Sequence, residues 1–295
     1  MPRAALLSIH ARVAGTRPEA WEDPALVQLW GPRYSAYAVA AGDTAPFTLG
    51  RLPLNPAKRR DAEAIADRLE AFLDGRRLDA REAGRGLGMH ANALRYAAPT
   101  GRVHIRWDGA RQPTVWTVPA PAVDPAQARA EMARRFLHVL GPGTASSFGD
   151  WAGMRPPGAL AAFEALAPEL AAVRTPIGEG WILAADEASF RDRPAPTAGA
   201  RLLPSGDTYY LLQGADRELL VPKAVDRARL WTSRVWPGAV LLGEDIVGTW
   251  RRANAALTIE PWRRLTSAER ELIGAEAAAL PLPGFEGRIR VGWAG

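Results

Sequence analysis

"GRVHIRWDGARQPTVWTV", residues 101–118, is the stretch from which the rest of the chain is best read. Polar and apolar residues alternate on both sides of Asp108-Gly109-Ala110, the pattern of two half-buried strands joined in a hairpin. Residues two apart on a strand share a face, so Arg102, His104 and Arg106 line one side and Val103, Ile105 and Trp107 the other. Upstream, Asn55-Pro56 sets a side-chain cap before a proline at the first helical position. "AKRRDAEAIADRLEAFLDG" (57–75) follows, with Ile65, Leu69, Phe72 and Leu73 on one helical face and Gly75 as the stop. A shorter helix, "DAREAGRGLG" (79–88), a Gly-bounded turn and "MHANALRYA" (89–97) complete the run. Helix, helix, turn, helix, hairpin is the order of a winged helix, with 89–97 as recognition helix and the hairpin as wing.

The unit recurs. Asp124-Pro125 opens "PAQARAEMARRFLHVLG", a helix with Met132, Phe136 and Leu140 at helical spacing. "TASSFGDWAGM" and "PPGALAAFEALA" then read as a helix pair, and "ELAAVRTPIGEGWILA" as a second hairpin. Two copies of one pattern strengthen both assignments. Before residue 55 a partial third copy is expected: a helix "PALVQLWG" after Asp23-Pro24, a strand "YSAYAVAA", then "TAPFTLGRL". Beyond 186–200, a Pro/Ala/Asp/Arg-rich linker, "GAVLLGEDIVGTWRRANAALTIEPW" reads as three strands. A last helix starts at the capping box Thr266–Glu269. The expected class is α+β, with tandem winged-helix units at 55–121 and 122–185. A partial unit at 1–54 and a β-rich region at 186–295 complete the division.

No cysteine is present, which excludes thiolate chemistry and disulfides. No apolar run reaches the roughly 18 residues of a membrane span, and "MPRAALLSIHAR" lacks a signal-peptide cleavage site. A cytoplasmic protein is expected, nucleoid-associated when bound. The four histidines, His10, His90, His104 and His138, show no metal-ligand spacing, so no metal is expected. His138 reads as a helix-end histidine facing a carbonyl. Trp107, Trp116 and Trp151 fall on inward positions, and the eleven tryptophans read mainly as core.

The net charge is +5 and the pI about 10.0, and of 37 basic residues only Lys58 and Lys223 are lysines. Arginine's planar fork suits phosphate; GC-rich coding produces the same bias without a phosphate partner. Clustering favours the first reading. Between residues 85 and 118, Arg85, Arg95, Arg102, Arg106 and Arg111 face Asp108 as the only acid. The expected DNA contacts are His90, Asn92 and Arg95 on the recognition helix, with Leu94 turned inward, and Arg102, His104, Arg106 and Arg111 on the wing. A second basic zone spans Arg227, Arg229, Arg234, Arg251, Arg252, Arg263 and Arg264.

Several stretches resemble one family. "LLSIHARV", "DPALVQLWGPRYSAYAVAAGD", "RRFLHVLGPGTASSFGDWAGM", "RLLPSGDTYYLLQGADR" and "EDIVGTWRR" are similar to segments of the bacterial winged-helix DNA glycosylases of the AlkZ type. The resemblance implies tandem winged helices that bind double-stranded DNA. It also implies hydrolysis of the N-glycosidic bond of alkylated or crosslinked purines, without a cofactor. The family's motif, Gln, an apolar residue, then Gln or Asp, falls on His10, Ala11 and Arg12. The resemblance also marks Asp207, Arg251 and Arg252, without a role. Family members place further helices before the motif; nine residues precede His10 here.

The departure from the motif has chemical weight. Cleavage builds oxocarbenium character on the sugar, which a bare guanidinium repels. A neutral His10 can hold or activate water, while Arg12 can turn to a flanking phosphate. The alternative is a winged-helix regulator or adduct-binding module without catalysis. No heptad seam or dimer helix is evident, so a monomer is expected.

Overall fold

The computed structural model describes residues 2–108, 112–192, 199–285 and 287–294. The chain divides into two compact units, one built mainly from 22–174 and 179–187, the other from 3–21 and 188–295. The segment that carries His10 and Arg12 thus groups with the C-terminal region, whereas the sequence division joined it to 22–54.

The chain opens on α1 (Pro2–His10). The first unit proper starts with β1 (Leu26–Trp30) and β2 (Ala36–Ala40), an antiparallel hairpin in which Val27 opposes Val39 and Leu29 opposes Tyr37. The helix expected over "PALVQLWG" is therefore a strand. Asp23 accepts from the Ala25 N–H and closes a turn in place of a helix cap. Val27 and Trp30, both good strand formers, then find a partner strand ten residues on. A short α2 (Thr44–Thr48) follows.

Next comes α3 (Pro56–Leu73), capped by Asn55, which accepts from the Lys58 N–H. Ala62, Ala66, Leu69 and Leu73 are its buried stripe, and it stops where Asp74 turns left-handed. Then come β3 (Leu78–Asp79), α4 (Ala80–Gly86), β4 (Val103–Arg106) and β5 (Thr114–Thr117), the strands ordered β3-β5-β4. Leu94, Val103, Ile105 and Val115 are fully buried in this core. Where a recognition helix is expected at 89–97, Ala91–Thr100 is wound as successive 3-10 turns. It starts on a cap from His90, whose Nδ1 accepts from the Asn92 N–H, and holds Pro99, which has no N–H to donate. Residues 109–111 lie outside the described residues.

The repeat continues with α5 (Pro125–Leu140), α6 (Ala145–Ala152), α7 (Pro156–Leu166) and the hairpin β6 (Leu170–Thr175)–β7 (Gly178–Leu183). Asp124 accepts from the Ala126 and Gln127 N–H groups, and Thr144 with Ser147 forms a capping box. Phe136, Phe148, Trp151 and Phe163 form one aromatic core, with neighbouring ring centroids 5.4–6.2 Å apart. His138 meets the Asp186 carboxylate at 2.8 Å, where the sequence suggested a carbonyl. Trp151 is buried as expected, but Trp107 and Trp116 are only partly buried and Trp181 is largely exposed. Within the expected linker, Glu187–Arg191 forms a helical turn, α8; 193–198 are outside the described residues.

The second unit is built on a five-stranded sheet. β8 (Ala200–Leu203) is one edge, and α9 (Arg217–Leu220) and α10 (Ala224–Leu230) follow it. β9 (Gly238–Leu242), β10 (Asp245–Ala253) and β11 (Ala256–Pro261) are the expected three strands. α11 (Ser267–Ala279) begins at the Thr266–Glu269 capping box, and β12 (Arg290–Trp293) pairs parallel to β11 at the other edge. Residues 246–250 of the central strand are all buried because both faces of the sheet are covered. Leu7 of α1 packs with Leu202, Val247, Leu257, Ile273 and Ala277. Tyr210, Leu230, Trp231 and Ile246 form a second cluster.

Candidate active site and nucleic-acid interface

Leu6 and Leu7 bury one side of α1. The helix unwinds just after His10, where the Ala11 N–H reaches Leu7 O and the Val13 N–H reaches Ile9 O. Ser8 and Arg12 stand four apart and share a face. That face meets Asp207, which sits in the turn after β8. Ser8 Oγ donates to Asp207 Oδ2 at 2.6 Å. Arg12 forks onto the same carboxylate, Nη1 to Oδ2 at 3.0 Å and Nη2 to Oδ1 at 2.7 Å, with Nη1 also donating to Ser8 O. Tyr209 N–H adds a fourth hydrogen bond to Asp207, which has no exposed side-chain surface, whereas Arg12 keeps 43%. The hydrogen bonds and charge of Asp207 hold the Arg12 guanidinium above its ordinary pKa, against the opposing effect of burial.

His10 turns to a different carboxylate. Its Nε2 lies 3.6 Å from Oε1 of Glu276 on α11, beyond hydrogen-bond length. Both ring nitrogens are shielded and without a hydrogen-bond partner. Glu276 Oε1 accepts from the Leu202 N–H at 3.2 Å, and Arg201 Nη1 lies 3.9 Å from Oε2. Arg201 Nε donates to Ala11 O at 3.1 Å, which fixes the backbone between the two motif residues. Arg12 and Arg201 are thus matched by Asp207 and Glu276, and with a neutral His10 the ensemble carries no net charge.

Of the residues marked in the sequence, His10, Arg12 and Asp207 lie in this one neighbourhood. Arg251 and Arg252 are on β10, donating to Val235 O and Asn254 O respectively. Ser8, Arg201 and Glu276 join the site without a motif of their own in the sequence. Ser8 had one legible signal, its spacing of four from Arg12; Glu276 reads in sequence as one more acid on an amphipathic helix. Among the described residues no cluster of metal-ligating side chains occurs.

In the first unit the wing faces fall as the alternation predicts, Val103 and Ile105 buried and Arg102, His104 and Arg106 half-exposed. Arg102 is gripped by Asp67 and Glu70 of α3, which raise its pKa. Arg106 bonds Asp108 at 2.7 Å and lies 3.7 Å from Glu22. His104 packs edge-on to Trp116, and burial lowers its pKa from the ordinary value. His90 and Asn92 are exposed, Leu94 is buried, and Arg95 is half-buried with its guanidinium 5.6 Å from the Tyr96 ring. Arg111 is outside the described residues. In the second basic zone Arg227, Arg229 and Arg263 pair with Glu218, Asp226 and Glu269.

The solved structure of the DNA glycosylase AlkZ from Streptomyces sahachiroi is similar in fold, with a TM-score of 0.78 and 19% identity. The alignment covers 99% of this chain and 89% of that one. A comparison with curated protein sequences finds no match. No helix among the described residues is long and apolar enough to cross a membrane. The sequence matches the family described as DNA glycosylase AlkZ-like over residues 1–281, and the protein belongs to that family.

Proposed function

We propose that the protein binds double-stranded DNA and hydrolyses the N-glycosidic bond of alkylated or crosslinked purines, with His10 as the water-activating residue. One observation carries the reading: Arg12, the cation at a motif position where the family has Gln or Asp, is neutralised by the bidentate contact with buried Asp207. The repulsion a free guanidinium would exert on a sugar cation is thereby removed. An N7- or N3-alkylated purine leaves with the bonding electron pair as a neutral base, and water oxygen bonds to C1′. The water proton passes to His10, whose Nε2 lies 3.6 Å from the Glu276 carboxylate. The reaction needs no cofactor. Its wider setting is a monomer in the cytoplasm, with Arg12 taking no part in chemistry beyond charge balance.

A second reading, a DNA-binding module without catalysis, is favoured by the shielding of both His10 ring nitrogens. Catalysis requires the imidazole to be uncovered when substrate enters. The two readings separate when the protein is incubated with duplex containing N7-alkylguanine, N3-alkyladenine or a crosslink and abasic sites are counted. Wild type produces them, and His10→Ala slows production by about a hundredfold. Undiminished release by His10→Ala removes His10 from the mechanism, and binding without any release establishes the non-catalytic module.

A further inference from the structure

A second cluster of interest lies in the first unit, at the turn joining β1 to β2. Arg33 and Tyr34 both hold left-handed backbone, φ 53° and 58°, a conformation that non-glycine residues seldom adopt and that gathers at functional sites. Three contacts hold the turn. The Arg51 guanidinium stacks on the Tyr34 ring at 4.4 Å. Tyr96 meets Tyr34 edge to face, with centroids 5.0 Å apart and planes at 78°. Gly153, at the end of α6, approaches so closely that a Cβ there would lie 2.9 Å from Arg33 Cα.

What the turn displays is an aromatic ring among cations. Tyr96 is 44% exposed, Arg33 is exposed, and Arg95 lies against the Tyr96 ring with its Nε buried and unbonded. Beneath them Arg51 is buried and bonds only the carbonyls of Trp30 and Ala152. No carboxylate pairs with Arg33, Arg51 or Arg95 among the described residues. Burial without an acid lowers the Arg51 pKa to about 10, so it remains a cation at neutral pH. Positive charge without counter-ions beside an accessible ring is the combination that unpaired nucleotides use, base on ring and phosphate on guanidinium.

We propose that Tyr96, flanked by Arg33 and Arg95, is a stacking site for an unpaired nucleotide of DNA. The site would select duplexes in which one base is out of the stack. The inference rests on the DNA-binding reading above, not on catalysis.

The test is the affinity of the full-length protein for two duplexes of one sequence, intact or with a single-nucleotide bulge, over a range of salt. Wild type is expected to bind the bulged duplex about tenfold tighter. Tyr96→Ala should abolish the preference while leaving intact-duplex affinity within about twofold, and Tyr96→Trp should keep it. Arg33→Gln should weaken both complexes and flatten the salt dependence by about one counterion. A preference that survives Tyr96→Ala, or is absent in wild type that still binds DNA, overturns the stacking site alone. Wild type binding neither duplex at low salt overturns the DNA-binding reading and the site with it.

Discussion

The arginines of the wing and those around the β1–β2 turn look alike in sequence and differ in the fold. Arg102 and Arg106 each lie against carboxylates, Asp67 with Glu70 and Asp108 with Glu22. Among the described residues no carboxylate pairs with Arg33 or Arg95. A DNA phosphate approaching the wing must displace side chains already bonded to its guanidinium groups; at the turn it displaces water. The difference teaches that a local surplus of arginine measures charge, not availability. Three of the four acids that quench the wing, Asp67 and Glu70 of α3 and Glu22, lie outside residues 85–118. Arg12 extends the comparison to its limit, since its acid is fully buried.

The strongest perturbation removes that most committed acid. Asp207→Asn should lower unfolding free energy by about 2 kcal/mol, read by chemical denaturation, because Ser8, Arg12 and the Tyr209 N–H share its carboxylate. A variant as stable as wild type would mean the pair is ornamental. For DNA affinity, Arg33→Gln with Arg95→Gln should weaken duplex binding by about tenfold, with Arg102→Gln changing it by less than about twofold. Freeing Arg102 through Asp67→Asn and Glu70→Gln should tighten binding about threefold and steepen the salt dependence. Equal losses at turn and wing would erase the distinction drawn between them.

The smallest effect concerns pH. Bonded to Arg263 and to the Thr266 backbone, Glu269 titrates at about 2, below the ordinary 4.5. A carboxyl depressed on folding contributes its stability above the unfolded pKa and loses it as pH falls toward the folded value. The stability gap between wild type and Glu269→Gln should therefore be full at pH 6, shrink below about 4.5 and close near 2. A gap independent of pH would assign the effect to helix capping alone.

Much of the fold was legible because its signals are local. Caps at Asn55, Asp124 and Thr266 marked where helices begin, and strand alternation marked the hairpin of 101–118. The same local reasoning failed at Asp23-Pro24, where an identical dipeptide makes a turn before a strand. Val27 and Trp30 lean "LVQLW" toward a strand, and the partner at 36–40 decides it. The 3-10 winding of 91–100 was missed because spacing alone does not distinguish it from α-helix over so few turns. The motif His10-Ala11-Arg12 was legible through family resemblance, but its electrostatics were not. Asp207 is 195 residues from Arg12 in sequence, and Glu276 comes from the last helix, so only the closed fold reveals that both polar motif residues have acids beside them.

Glu276 also bears on the edge of the five-stranded sheet. β8 is a sheet edge, and the backbone N–H of Leu202 points outward along it, a vacancy onto which another chain's strand could add. The Glu276 carboxylate fills that vacancy, standing in for the carbonyl of a neighbouring strand and bringing a negative charge that an incoming strand would have to bury. The acid beside His10 thus also satisfies a backbone group at the edge of the sheet.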